Sequence, residues 1–157
     1  PFFDENNKMF AFQGRAFGNE EPKYITIKLN PEKDKIYGLN RLNRDKPIYV
    51  VEGPIDSLFL DNCIAVAGAD FSKLPKENAT IVFDNERRNK EILKQIEKTV
   101  NEGYKIVLWP DDIKEKDIND MILAGRTKEE IQTIITNNTY QGSMAKIRMT
   151  TWRKMYA

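Results

Sequence analysis

The sequence predicts an α/β fold, with a parallel sheet of about four strands that is flanked by helices and preceded by a small β-rich subdomain. Short apolar runs, which are typical of fully buried strands, occur at residues 48–51, 64–67, 80–83 and 105–109. Between the last two runs, Ile92, Ile96 and Val100 recur at the spacing of one helix face. Buried strands that alternate with helices are typical of a parallel sheet.

The β-rich subdomain is expected at residues 1–46. Residues 8–12 and 24–28 are short strand-like runs, and apolar and polar side chains alternate in the second of them. Asparagine, glycine and proline residues separate the runs, as expected for turns. A charged stretch that ends at Pro47 marks the change to the α/β pattern, which we assign to residues 47–125.

Further helices are expected around and after the sheet. One should span about residues 55–60, directly after the first buried strand, and another should begin at Ile118. Thr127 and Glu130 have the spacing of a capping box, so a third helix should begin there and end near Thr136.

The C-terminal segment, residues 126–157, completes the predicted helices. Its last part, residues 146–156, mixes basic and apolar side chains in the manner of an amphipathic helix. Such a helix either covers the core of its own domain or docks a partner or DNA. We favour the first interpretation, because the apolar stripe of a surface helix ordinarily faces its own core.

The composition is that of one globular domain with a small appendage. The chain has 157 residues, of which 40% are hydrophobic and 31% charged, and no apolar run approaches the length of a membrane span. Basic and acidic residues number 25 and 24, so attraction to DNA would have to come from the distribution of charge. We expect a soluble protein, and the start at Pro1 suggests a piece of a longer one.

Two scarce residue types exclude several chemistries. Histidine is absent, which excludes hydrolases with an imidazole base and metals bound by histidine. Cys63 is the single cysteine, so neither a disulfide framework nor a cysteine zinc site is available. This composition fits a reducing cytoplasm and leaves carboxylates as the groups that carry chemistry.

Acidic residues follow three of the predicted strands directly, and these residues are Glu52, then Asp84 and Glu86, then Asp111 and Asp112. The carboxyl ends of parallel strands meet at one edge of a sheet, so we expect these acids to lie near one another. Magnesium prefers oxygen ligands from carboxylates, waters and phosphates. Asp84 and Glu86 can face one ion together, while Asp56 either supports them or merely favours the start of the following helix.

In the order of these acids, the chain resembles the Toprim domain of bacterial DnaG-type primases, topoisomerases and some nucleases. That domain has a glutamate after its first strand, matched by Glu52, and an acid pair after its third strand, matched by Asp84 and Glu86. The family usually has two aspartates in this pair, so Glu86 reaches one methylene further. Asp117 is similar to an aspartate of the primase Asp-Pro-Asp element, in which Asn119 replaces the other acid.

The residues before the first acid narrow the resemblance to primases. Residues 3–17, which include a glycine-arginine pair, are similar to the entry of the DnaG-type polymerase core. The Pro-Lys-Tyr run at residues 22–24 and the segment at residues 35–39 resemble later parts of that core. Residues 84–91 and 152–154 look most like primases of tailed bacteriophages.

By this resemblance, the chain is the C-terminal part of a primase RNA-polymerase core, and a zinc-binding module and the rest of the core would precede it. The implied activity is the synthesis of short RNA primers on a single-stranded DNA template from ribonucleoside triphosphates. It would depend on Mg²⁺ or Mn²⁺, take place in the host bacterial cytoplasm and involve a replicative helicase as partner.

The resemblance also implies which acids form the site. Glu52, Asp84 and Glu86 would be catalytic residues that hold the metal ions, and Asp117 and Asp56 would support them as further ligands. 

Three basic residues of the β-rich subdomain, Arg15, Lys23 and Lys35, would bind nucleotide or template phosphates if this subdomain packs beside the parallel sheet.

Two other functions remain open. A Toprim nuclease would use the same acids to cleave DNA, and a non-catalytic α/β binding module would carry them only as surface charge.

Overall fold

Two sheets form the framework of the chain in the computed structural model, which describes residues 1–68, 71–72 and 74–154. The first sheet is antiparallel and contains β1 (Phe2–Phe3), β2 (Met9–Arg15) and β3 (Tyr24–Lys28), in that order. The predicted β-rich subdomain is thus a small antiparallel sheet. Strand β1 was not predicted, because two residues are too few to show a pattern.

The second sheet confirms the predicted parallel arrangement. Its strands are β4 (Ile48–Val51), β5 (Cys63–Ala65), β6 (Ala79–Ile81), β7 (Lys105–Val107) and β8 (Thr139–Tyr140). The order across the sheet is β5-β4-β6-β7-β8. The first four strands are parallel, and β8 adds an antiparallel edge that the sequence did not predict. Strand β4 therefore lies in the middle of the sheet, directly beside β6.

Four helices flank this sheet, namely α1 (Lys90–Asn101), α2 (Ile118–Leu123), α3 (Lys128–Asn137) and α4 (Gly142–Lys154). The Asn89 side chain accepts hydrogen bonds from the first turn of α1, which fixes the start of this helix at Lys90. The capping box predicted at Thr127 and Glu130 is present at the start of α3.

The helix predicted at about residues 55–60 is absent, and a single 3-10 turn, Asp56–Leu58, takes its place. The loop between β4 and β5 is short, and Asn62 within it adopts a positive φ of 46°. The Leu58 N–H donates to the Ile55 carbonyl at 3.0 Å and the Phe59 N–H donates to the Asp56 carbonyl at 3.1 Å, which is the i→i+3 pattern of a 3-10 turn. Asp56 consequently lies on a tight turn rather than at the start of a helix.

The C-terminal helices pack on the core of the sheet. Ala145, Met149 and Trp152 of α4 are buried against α1, and Ile131 and Ile135 of α3 join the core below β4 and β7. The interpretation that α4 covers the core of its own domain is therefore confirmed. None of the helices that the structure describes is long and apolar enough to cross a membrane.

The antiparallel sheet is tied to the edge of the parallel sheet by one short bridge. The main chain of Tyr37 donates to the Ala65 carbonyl at 2.7 Å and accepts from the Ala65 N–H at 3.0 Å. The Tyr37 ring packs edge-on against Phe2 of β1 at 5.5 Å between centroids. The β-rich subdomain thus lies beside the parallel sheet, close to the ends of its strands.

Candidate metal centre

Two neighbouring parallel strands deliver the first acids to the same edge of the sheet. The ladder continues past the ends of these strands, since Val66 N–H donates to the Val51 carbonyl at 3.0 Å and Val82 N–H donates to the Val50 carbonyl at 2.8 Å. Glu52 follows β4 and is exposed, whereas Asp84 lies just beyond β6 and keeps only 24% of its side chain exposed. Asp84 therefore lies deeper in this edge than Glu52.

Asp84 and Glu86 face the same cationic group. The Lys116 ammonium lies 2.9 Å from Glu86 Oε1 and 3.7 Å from Asp84 Oδ2. The Asn89 side-chain amide donates to the other Glu86 oxygen, Oε2, at 2.7 Å. These hydrogen bonds from Lys116 and Asn89 lower the pKa of Glu86. Glu86 is therefore held as a carboxylate between Lys116 and Asn89.

The electrostatics of Asp84 show that this edge holds excess negative charge. Burial and the charge of Glu52 raise the pKa of Asp84 from 3.8 to about 7, with smaller contributions from Asp56 and Asp117. Lys116 acts in the opposite direction but does not offset them. Carboxylates from two other stretches of the chain, the loop after β4 and the start of α2, thus act on Asp84.

Asp56 is fixed by its surroundings as well as by its turn. Its Oδ1 accepts a hydrogen bond of 2.8 Å from the Asn119 main-chain N–H, in the first turn of α2. Its Oδ2 lies so close to Gly53 that a Cβ atom at that position would overlap it. Burial, together with the negative charge of Asp117, raises the pKa of Asp56.

Asp117 caps α2 directly. Its Oδ1 accepts from the Asp120 N–H at 2.8 Å, which leaves its second oxygen free of that cap. Asp56 and Asp117 therefore meet at the beginning of α2.

Two positioning residues of this edge were missed by sequence reasoning. The Asn85 side chain donates to the carbonyls of Ile113 and Glu115 at 3.0 and 3.1 Å, and its N–H donates to the Lys116 carbonyl at 2.7 Å. Arg87 is buried, donates to the carbonyls of Trp109 and Pro110, and pairs with Asp111. An asparagine and an arginine inside a polar loop give no pattern that distinguishes such roles from surface residues.

The third group of strand-end acids, Asp111 and Asp112, does not join the first two groups. Asp111 is held by the buried Arg87 guanidinium, and both Asp111 and Asp112 are exposed. Asp111 thus anchors the loop after β7, and its position at a strand end reflects this ion pair.

The three basic residues predicted to bind phosphate, Arg15, Lys23 and Lys35, do not all line the clefts beside Asp56 and Asp117. Arg15 lines a cleft of about 270 Å³ whose lining also includes Asp56 and Asp117. Lys23 lines an adjoining cleft with Arg15, whereas Lys35 is half-buried and lines neither of them. The structure therefore places Arg15 in the same cleft as Asp56 and Asp117, and Lys23 in the cleft beside it.

The donor set suits a hard divalent cation in kind, because all of the acidic ligands offer carboxylate oxygens and their charge exceeds that of the one ammonium between them. Among the residues that the structure describes, no three acidic side chains are already arranged around one ion position. Asp84 Oδ2 and Glu86 Oε1 instead face the Lys116 ammonium.

Over an alignment of 161 residues, the chain is 43% identical to the DNA primase of Enterobacteria phage T4. The resemblance to DNA primases is confirmed. The alignment covers 99% of this chain and 47% of the phage T4 primase, so the chain spans about half the length of that primase. No protein-family profile matches the chain.

Solved structures of bacterial primases share this fold. The TM-score is 0.64 with the Aquifex aeolicus primase (zinc-binding and RNA polymerase domains), at 21% identity over 89% of this chain and 40% of that one. It is 0.63 with a DnaG primase catalytic domain bound to single-stranded DNA, at 21% identity over 87% of this chain and 50% of that one. It is 0.66 with a DNA primase domain from Pseudomonas aeruginosa, at 21% identity over 88% and 50%.

Proposed function

We propose that the chain is the metal-binding part of a DNA primase that synthesises short RNA primers on single-stranded DNA from ribonucleoside triphosphates. One observation carries the proposal. Adjacent parallel strands present Glu52 and Asp84 at the same edge, close enough for the charge of Glu52 to raise the pKa of Asp84. The sequence relationship to the phage T4 primase supports the same conclusion.

In this mechanism the acids gather the cations needed for phosphoryl transfer. Bound Mg²⁺ or Mn²⁺ would stabilise the attacking 3′-hydroxyl oxygen and offset the charge of the triphosphate. Glu52, Asp84 and Glu86 would hold the ions, and Asp84 must first lose its proton. Asp56 and Asp117, both fixed at the start of α2, would orient the ligands or their waters.

The clefts beside the acids would bind the substrates. Arg15 and Lys23 line adjoining clefts and would contact phosphates of the triphosphate or the template. Lys35 would contribute from further away, because it lines neither cleft. A phosphate bound by Arg15 would thus lie in the same cleft as Asp56 and Asp117.

We further propose that three segments of the chain have different roles. Residues 1–46 would supply the phosphate-binding wall, residues 47–125 would form the metal-binding α/β domain, and residues 126–157 would support it. The remainder of the primase, with a replicative helicase as partner, would complete primer synthesis in the cytoplasm of the host bacterium.

Isosteric variants of the full-length primase test the proposal. Glu52→Gln and Asp84→Asn should each reduce primer synthesis by about a hundredfold or more, as expected when an electrostatic contribution to the transition state is lost. Asp112→Asn, at an exposed acid outside the cluster, is the matched control and should keep full activity. Circular dichroism verifies that the variants fold.

Other results of these experiments would indicate a different function. Metal-dependent nicking of DNA without incorporation of ribonucleotides would indicate a nuclease. Undiminished synthesis in both variants would refute the site. If millimolar Mn²⁺ does not bind the wild-type protein in calorimetry, the chain is instead a non-catalytic module.

A further inference from the structure

Lys116 is attached twice to the segment that carries the acid pair. Its carbonyl accepts a hydrogen bond of 2.7 Å from the Asn85 N–H, between the two acids in sequence. Its ammonium pairs with Glu86 at 2.9 Å and lies 3.7 Å from Asp84. The main-chain bond fixes the base of the side chain, so its ammonium is delivered to the space between the two carboxylates.

The position of this ammonium is one that a metal ion would need. A cation that binds Asp84 and Glu86 together must approach the oxygen atoms that now face Lys116, namely Asp84 Oδ2 and Glu86 Oε1. The other Glu86 oxygen is already occupied by the Asn89 amide. A lysine ammonium and a divalent ion cannot share this space.

The Lys116 side chain can leave without disturbing the fold. It is 54% exposed, and its long flexible stem can turn toward solvent while its carbonyl stays bound to Asn85. The carboxylate oxygens that now face Lys116 would then be free to bind a metal ion.

We propose that the Lys116 ammonium occupies the cation position between Asp84 and Glu86 in the metal-free protein and is displaced when a divalent ion binds. This inference rests on the proposed metal site and adds a competitor within the chain. Lys116 keeps the two like charges together while the site is empty. The same contacts weaken metal binding, because the ion must first break them.

Calorimetric titration with Mn²⁺ of the full-length primase and its Lys116→Met variant tests this inference. The variant should bind Mn²⁺ about three- to tenfold more tightly, because two partly exposed ion pairs no longer compete. Lys116→Arg keeps the charge and should bind Mn²⁺ no more tightly than the wild type. Lys114→Met is the matched control, because the Lys114 ammonium contacts the Asp111 carbonyl rather than a carboxylate, and it should leave the affinity unchanged.

A double-mutant cycle supplies a second measurement, which reads the stability of the fold with and without metal. The coupling between Lys116→Met and Glu86→Gln in the free energy of unfolding should be present without metal and vanish at saturating Mn²⁺. If the wild type binds Mn²⁺ while Lys116→Met binds it equally or more weakly, the inference is wrong and the metal site stands. If neither protein binds Mn²⁺, the metal site itself is wrong and the inference falls with it.

Discussion

The main-chain N–H of Asn119 donates a hydrogen bond of 2.8 Å to the carboxylate of Asp56, 63 positions earlier in the chain. This bond joins the turn after β4 to the first turn of α2. Asp117, which caps the same helix, is thereby held beside Asp56. The distance between the β4 edge and the start of α2 is therefore set by a side chain proposed to serve the metal site.

Gly53→Ala should disturb this junction. The added methyl group would overlap Asp56 Oδ2 and force the carboxylate away from the Asn119 N–H, leaving a half-buried donor unsatisfied. We expect a loss of about 1–2 kcal/mol in the free energy of unfolding, together with weaker Mn²⁺ binding. Urea denaturation and calorimetry measure the two effects.

Gly14→Ala is the control for this substitution. Gly14 lies in β2, and a Cβ atom there would meet nothing within 4 Å. It should leave both quantities nearly unchanged. Equal effects of the two substitutions would show that the Asp56 contact is unimportant.

Asp84 should make the metal-free protein less stable as the pH rises. Its pKa is about 7 in the folded protein against 3.8 ordinarily, so the folded state binds more protons between these values and unfolding releases them. The destabilisation is absent below about pH 4, grows through the interval and is complete above about pH 7. Its size is at most about 4 kcal/mol, and less because the side chain is partly exposed.

Asp84→Asn should remove this dependence. At pH 8 without metal the variant should be more stable than the wild type, and at pH 4 the two should be alike. Urea denaturation at both pH values measures the difference. A variant that is less stable than the wild type at pH 8 would contradict the raised pKa.

Arg87→Lys should destabilise the fold by about 2–4 kcal/mol. A lysine cannot reproduce the several directed hydrogen bonds that the buried guanidinium makes to the carbonyls of Trp109 and Pro110 and to Asp111. Arg88→Lys, at the exposed neighbouring position, should change the stability by less than about 0.5 kcal/mol. If both variants unfold at the same urea concentration, Arg87 does not anchor the loop.

Arg15→Ala and Lys23→Ala should each weaken the binding of template or nucleotide to the full-length primase several-fold. Each variant removes one cation from the wall of a cleft beside the acids. Lys35→Ala should have a smaller effect, and Lys94→Ala, an exposed position on α1, should have none. Filter binding at fixed salt concentration measures these affinities, and equal affinities for all four variants would refute the proposed contacts.

Local features of the sequence determined most of the fold. The buried strands appear as apolar runs because both faces of a parallel sheet are covered, and the capping box of α3 lies within four consecutive residues. The prediction of a helix at residues 55–60 was wrong, because the apolar residues fit a helical pattern while the main chain forms a single 3-10 turn with i→i+3 hydrogen bonds. Strand β8 was missed, since two residues pair there only because β7 offers a free edge.

The sequence by itself also placed acids at the ends of strands, because an acidic residue directly after an apolar run can be recognised from the order of residues alone. Only the tertiary structure decided which acids act together. In the folded chain, Asp84 and Glu86 both contact Lys116, and Asp56 accepts a hydrogen bond from Asn119. Asp111 does not belong to this group of acids, because it pairs with Arg87. Charges interact through distance in space, and contacts between residues tens of positions apart depend on how strands and loops pack, which no local pattern records.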